Sequence, residues 1–153
     1  MKKLASLAVV AVAALAIVAL AGAAEKYTVS ATLKNNTEVP RAKGAPLAKG
    51  SFSGTYVENK SGATLTWKLS YQHLTGKALA AHIHKGKRQE NGPIVVPLSQ
   101  PATGDPGASS GCTMAAADLA QDIQRHPKRY YVNVHTADFP NGAARGQLGG
   151  KKR

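Results

Sequence analysis

Three histidines in two segments of alternating polarity are the residues of this sequence best suited to chemistry. His82 and His84 are separated by one residue in the segment Ala-Ala-His-Ile-His at 80–84, and His135 lies near the end of the segment at 130–136. In a β-strand, every second side chain points to the same face, and such residues lie about 6.6 Å apart. Two imidazoles so placed can converge on one ion, and a second strand would bring the third.

Three imidazole nitrogens suit copper and zinc, and they leave a fourth position for water or another ligand. The sequence therefore predicts a mononuclear copper or zinc site made by His82, His84 and His135. His73 is a possible fourth ligand, and Asn133 is a possible hydrogen-bond partner that fixes an imidazole tautomer. In the alternative interpretation the histidines bind no metal. They hydrogen-bond to the backbone and to Asn, Thr and Tyr side chains, and so fix loops at one end of the fold.

Arg145 also has two interpretations from the sequence. It holds an anion near the histidines, or it pairs with Asp138 across a turn. Nucleophilic catalysis has no support, because no Ser stands in a Gly-x-Ser-x-Gly setting and no carboxylate pair stands out. We therefore assign no catalytic residue.

Short strands separated by turn residues must position these side chains. Alternation predicts that Leu79, Ala81 and Ile83 face the interior. Residues 100–111 are predicted to be a mobile loop, and a short helix is expected between a cap at Thr113 and Pro127. No long helix recurs between strands, so we predict an all-β fold. An antiparallel sandwich or barrel with one short helix satisfies this pattern, and we predict a β-sandwich of the Greek-key or immunoglobulin-like kind. Its strands are expected at about 27–33, 51–58, 63–71, 79–84, 94–98, 130–136 and 143–148.

The first residues have the regions of a secretory signal peptide. A basic start at 1–3 precedes an apolar run at 4–20 and small residues at 21–24. We expect cleavage between Ala23 and Glu25, which makes 1–23 the signal peptide and 24–153 a single periplasmic or secreted domain without a membrane anchor. The alternative is a retained anchor, because the run is close to the length of a spanning helix.

The chain is strongly basic, with 20 Lys and Arg against 8 Asp and Glu and a net charge of +12. Removal of Lys2 and Lys3 would leave 12 − 2 = +10. Such a charge favours acidic partners such as polyanions or anionic membrane surfaces. The basic residues are scattered and no nucleic-acid motif or stacking aromatic series is present, so we expect a solvated basic surface and no specific nucleic-acid partner.

Cys112 is the only cysteine, so this exported chain is expected to have no internal disulfide. A lone thiol in an oxidising compartment is either buried and inert or available to a partner or a metal. Because free cysteines are usually buried, we predict that Cys112 is buried and inert.

Two separated motifs resemble the CHRD domain, the module first named in chordin. The first comprises Ala-Ala-His-Ile-His at 80–84 and Asn-Gly-Pro-Ile-Val-Val-Pro-Leu at 91–98. The second comprises Tyr-Val-Asn-Val-His-Thr at 131–136 and Gly-Gln-Leu at 146–148, after Arg145. The resemblance extends over about 27–148. It implies an extracytoplasmic all-β domain, often the only domain of bacterial secreted proteins, but it supplies little mechanism.

The last motif departs from the family pattern. Where the family usually carries Gly-Glu-Ile-Arg-Gly-Gln, residues 142–147 read Gly-Ala-Ala-Arg-Gly-Gln, without the acidic residue. The chain is also weakly similar to copper/zinc superoxide dismutase, in the His-x-His strand with His82 and His84, the later Val-His strand with His135, and Arg145 near the final strand. This similarity implies a superoxide-dismutase-like β-sandwich as the alternative form of the predicted fold. The chain lacks that family's His/Asp zinc loop and cysteine pair, so the similarity is a precedent for a copper site and a poor guide to activity.

Three hypotheses about function follow from the sequence. The first is an exported, non-enzymatic binding module of the CHRD type that holds copper or zinc. The second is a metal-dependent redox enzyme of superoxide-dismutase character. The third is a structural or adhesive module that binds an acidic partner, an unidentified protein or polyanion, through its basic surface.

Overall fold

The computed structural model describes residues 26–41, 47–99 and 104–152. The predicted signal peptide lies outside the described residues. Short 3-10 turns follow the first strand and the helix, at Asn35–Thr37 and Pro127–Arg129. The strands and the helix, in chain order, are β1 Lys26–Lys34, β2 Lys49–Asn59, β3 Gly62–Gln72, β4 Ala78–Lys85, β5 Ile94–Pro97, β6 Gly107–Ala115, α1 Ala117–Arg125, β7 Tyr130–Thr136, β8 Ala144–Gln147 and β9 Gly149–Lys152.

The strands form one antiparallel sheet in the order β5-β4-β7-β8-β1-β2-β3-β6, and β9 also pairs with β1. The two outer strands approach each other, since the Thr113 hydroxyl on β6 donates to the Pro97 carbonyl on β5 at 3.4 Å. The sheet is therefore curled into a nearly closed, barrel-like arrangement. The predicted all-β antiparallel class with one short helix is confirmed.

The inward side chains of the curled sheet form a single core. On β3, the alternation predicted for Leu65, Trp67, Leu69 and Tyr71 is confirmed, because all four side chains are buried. The helix α1 packs against β3, and its residue Ile123 is fully buried. Within the described part of the chain, no helix is long and apolar enough to cross a membrane.

Strand β6 corrects three predictions. It runs antiparallel to β3 from Ala63↔Ala115 to Tyr71↔Gly107, so residues 107–111 are not a loop and Thr113 is not a helix cap. The composition of the segment is typical of loops, but the free edge of β3 offers a row of backbone partners, and this pairing prevails over local propensity. Cys112 lies on the outward side of β6 and is exposed, so the prediction that it is buried was wrong.

A register shift in β4 corrects the predicted position of Leu79. The pairing of β4 with β7 is irregular between Ala78 and Ala80, which places Ala78 in the core and leaves Leu79 49% exposed. Ala81 and Ile83 are fully buried, as predicted. A bulge adds one residue and so reverses the faces on one side of it, which alternation alone does not reveal.

Candidate metal centre

The pairing of β4 with β7 brings three histidines together on the outer face of the sheet. His84 lies opposite Tyr131, and His135 lies opposite Ala80, diagonally across from His82. The ring centroids are 5.0 Å apart for His82 and His135 and 5.6 Å apart for the other two pairs. One ring nitrogen from each histidine lies within 4.8 Å of the other two. The structure thus brings the three sequence-predicted residues into one cluster.

Backbone carbonyls determine the orientation of two of the rings. His84 Nδ1 is 3.0 Å from the Gly92 carbonyl oxygen, and His135 Nδ1 is 2.9 Å from the Pro140 carbonyl oxygen. A carbonyl can only accept, so each Nδ1 carries the proton and each Nε2 of the neutral ring keeps its lone pair. Within the described residues, His84 Nε2, His135 Nε2 and His82 Nδ1 are buried without a hydrogen-bond partner. Three nitrogen atoms are thus buried and left for another ligand.

Burial keeps these imidazoles neutral by lowering the pKa of each one. Burial and the neighbouring His84 lower the pKa of His82. Burial lowers the pKa of His84, and the charge of Arg145 acts in the same direction. The hydrogen bond to the Gly92 carbonyl acts in the opposite direction. For His135, burial lowers the pKa to about 4 despite the Pro140 carbonyl, with contributions from both other histidines. Neutral imidazole is the form that binds a metal, so at neutral pH the cluster needs to lose no proton to bind one.

The backbone of Gly92 holds His84 and the neighbouring Tyr131 ring in place. Its carbonyl accepts from His84, and its N–H donates to the Tyr131 hydroxyl at 3.3 Å. The Tyr131 ring stacks on His84 with centroids 4.9 Å apart and planes 7° from parallel. A Cβ at residue 92 would lie 1.6 Å from the Lys85 carbonyl oxygen, so only glycine allows this close approach. Gly92 is therefore required for the support of His84.

Arg145 lies on the other side of Tyr131, on β8, and is almost completely buried. Its guanidinium carbon is 3.7 Å from the Tyr131 ring centroid. It donates to Asn91 Oδ1 at 3.1 Å and to the carbonyls of Lys87 and Glu90 at 3.3 and 3.0 Å. Arg145 thus fastens residues 86–92, the segment that carries Gly92, to the sheet.

Three sequence-based expectations about neighbouring residues were wrong. Arg145 does not pair with Asp138, which lies beside Gly76. His73 is exposed and lines a separate surface depression, so it is not placed to be a fourth ligand. Asn133 donates to Glu38 Oε2 at 3.4 Å and to a backbone carbonyl, and does not orient an imidazole.

Glu38 is the residue near this region that sequence reasoning missed. It is only 6% exposed, and burial raises its pKa to about 8, although Arg145 and the bond from Asn133 act in the opposite direction. Gly142, with φ at +130°, leaves space for this pair, because a Cβ there would lie 2.6 Å from Glu38 Oε2. Glu38 follows a short polar turn, where neither alternation nor helical periodicity applies, so no sequence signal indicates its burial.

The cluster lies at the floor of an open depression of about 450 Å³. The apolar side chains of Leu79 and Ile94 line it and are 49% and 52% exposed. Among the described residues, no carboxylate or thiolate joins the three histidines within ligand distance. All three histidines therefore line one depression, although their unpaired nitrogens are buried beneath its surface.

Comparison with known proteins gave one match. The model of the CHRD domain family matches residues 29–148, which is most of the chain. No curated protein and no solved structure matched the chain significantly.

Proposed function

The chain belongs to the CHRD domain family, and we propose that it is a binding module that holds one copper or zinc ion through His82, His84 and His135. The observation that carries the proposal is the set of three buried ring nitrogens without a hydrogen-bond partner. Leaving a buried polar atom unpaired costs about 1–3 kcal/mol, and a metal ion would remove that cost for all three at once.

The donor set agrees with copper or zinc. Neutral imidazole is intermediate between hard and soft ligands and binds either metal, whereas magnesium and calcium prefer oxygen ligands. Carbonyl acceptors behind two of the rings are the usual outer partners of histidine ligands, and they hold the Nε2 atoms of His84 and His135 toward the cluster. Because these two rings are already held in place, metal binding would cost less side-chain conformational entropy.

His82, His84 and His135 would hold the ion and supply three ligands, so a bound copper or zinc ion would take a fourth from water or another molecule. Among the described residues, no carboxylate or thiolate joins the cluster at ligand distance, and we assign the three histidines a binding role.

The test compares metal binding by three proteins, all carrying Cys112→Ser so that the exposed thiol does not contribute. They are the reference protein, a variant with His82→Ala and His84→Ala, and a matched control with His73→Ala and His126→Ala, two exposed histidines outside the cluster. Calorimetric titration with Zn²⁺ and Cu²⁺ should show one site in the reference and the control.

In the cluster variant, removal of two of three ligands should weaken that site by at least about 100-fold. Circular dichroism should show that the variant stays folded. Equal affinity in the cluster variant and the reference would refute the proposal.

A further inference from the structure

The other half of the sheet presents an ordered array of hydroxyl groups. On β1, β2 and β3 every second side chain faces outward, and the strand register aligns them in rows. Adjacent strands are about 4.8 Å apart, and outward residues along a strand are about 6.8 Å apart. Two of these rows are Thr28–Thr55–Thr66 and Ser30–Ser53–Lys68.

A third row, Thr32–Ser51–Ser70, continues the array. The hydroxyls of Ser51 and Ser70 are 2.8 Å apart, but each hydroxyl has one donor and two acceptor sites, so the pair can still bond to a further group. Many hydroxyls on one surface can both donate to and accept from a ligand that is itself rich in hydroxyls. We call these three rows, with the lysines that border them, the hydroxyl–lysine face.

The charge on this face has one sign. Exposed lysines occupy both ends of β1, the start of β2, the centre of β3 and the edge at β9. No Asp or Glu occurs at the outward positions of the described strands β1, β2, β3 and β6. The lysines are Lys26, Lys34, Lys49, Lys68 and Lys151. The face therefore complements a ligand with repeated negative charges.

A depression of about 710 Å³ lies between Lys68 and Lys151. Hydroxyl residues of β1, β2 and β3 line it, and so does Gly149. A Cβ at Gly149 would meet nothing closer than 3.9 Å, so this residue leaves open space on the outer surface. The depression gives the array a recess between two cations.

We propose that the hydroxyl–lysine face binds an acidic polysaccharide, a polymer that offers both carboxylates and hydroxyls at a regular repeat. Lysine ammonium groups would pair with the carboxylates, and the Ser and Thr hydroxyls would bond to the sugar hydroxyls. No aromatic residue occupies the outward positions of β1, β2, β3 and β6, so the face lacks the stacking platforms of single-stranded nucleic-acid sites. The proposal does not depend on the metal site.

The first test measures binding of the whole protein to polygalacturonate, with neutral dextran as the uncharged probe, at about 150 mM ionic strength. The test variant carries Lys68→Gln and Lys151→Gln, on either side of the depression. The matched control carries Lys77→Gln and Lys128→Gln, two exposed lysines elsewhere, and so has the same net charge. We expect the wild type to bind polygalacturonate but not dextran. The affinity for polygalacturonate should be at least tenfold weaker in the test variant and within twofold of wild type in the control.

The second test separates sugar recognition from simple attraction of charge. Polyglutamate offers carboxylates without sugar hydroxyls, and we expect it to bind at least fivefold more weakly than polygalacturonate of equal charge. A variant with Ser53→Ala and Thr55→Val keeps every charge. Its affinity for polygalacturonate should fall at least threefold, whereas its affinity for polyglutamate should not change.

The proposal would be overturned if both lysine variants lost the same affinity for polygalacturonate. It would also be overturned if polyglutamate, duplex DNA or anionic phospholipid vesicles bound as tightly as polygalacturonate. The absence of binding to polygalacturonate would have the same consequence. The variant with His82→Ala and His84→Ala should bind polygalacturonate like wild type, whatever its affinity for metal.

Discussion

The two halves of the sheet use the same alternation on the inside and differ on the outside. In the half formed by β5, β4, β7 and β8, residues 86–92 and 138–142 contact the outward side chains, and His84 and Arg145 are buried. In the half formed by β1, β2, β3 and β6, the outward residues such as Ser53 and Thr66 are exposed to solvent. Loops, and not the strands, therefore decide which outward side chains lose water.

That difference changes the chemistry of polar groups on the same sheet. Under the loops, desolvation lowers the pKa of the histidines and raises that of Glu38, and several polar atoms of the described residues have no partner. On the open face, hydroxyls pair with one another at the surface and remain available to solvent. A covered face can hold one ion strongly, whereas an open face suits many weak contacts with an extended polymer.

The largest contrast is expected from removing one cation in each half. Arg145→Ala should lower the free energy of unfolding by about 3–5 kcal/mol, because the change removes three hydrogen bonds from a charged group that hold residues 86–92 to the sheet. Lys68→Ala should change it by no more than about 0.5 kcal/mol, as is usual for an exposed side chain. Urea unfolding of both variants checks the pair, and similar values would contradict the contrast between the two halves.

A smaller contrast is expected from adding one methyl group in each half. Gly92→Ala should destabilise the protein by about 1–3 kcal/mol, since the new Cβ would overlap the Lys85 carbonyl. It should also weaken zinc binding, because the carbonyl that orients His84 must move. Gly149→Ala has room and should do neither. Thermal unfolding and zinc titration test the pair, and an unchanged zinc affinity in Gly92→Ala would argue against backbone support of His84.

A third contrast depends on pH. Folding raises the pKa of Glu38 from 4.5 to about 8, so the folded protein holds more protons than the unfolded chain between these values. The contribution of Glu38 to stability is therefore present below pH 4.5 and is lost as pH rises through 8. Glu38→Gln should match wild type near pH 5 and be more stable near pH 9.

Urea unfolding at several pH values measures this effect. Glu58→Gln removes a carboxylate from β2, in the open half, and controls for the change in net charge. A pH profile of Glu38→Gln parallel to that of wild type would show that this carboxyl keeps its ordinary titration.

The strands and the histidine cluster could be predicted from sequence because both depend on period-two patterns. His82, His84 and His135 share outward positions, and the chain folds so that β4 and β7 are neighbours. Strand β6 could not be predicted, since its pairing depends on the distant edge of β3 and its own sequence is typical of a loop.

The supports of the cluster were also hidden from sequence reasoning. Gly92 and Pro140 act through backbone carbonyls, which every residue has, so no side-chain pattern identifies them. Arg145 was noticed, but its partners are mainly backbone atoms of a loop whose path depends on the whole fold. The burial of Glu38 likewise results from tertiary packing around a turn.

The segment at 86–92 is held in place mostly by hydrogen bonds to its main-chain carbonyls. Gln147 donates to the Gly86 carbonyl, and Arg145 donates to the carbonyls of Lys87 and Glu90. The side chains of Lys87, Arg88 and Gln89 are exposed, and Gln89 has a φ of +68°, where Gly or Asn would fit equally well. The tip can therefore change its sequence while the fold stays constant, which offers natural variation and engineering a variable surface close in sequence to Asn91 and Gly92, which line the histidine depression.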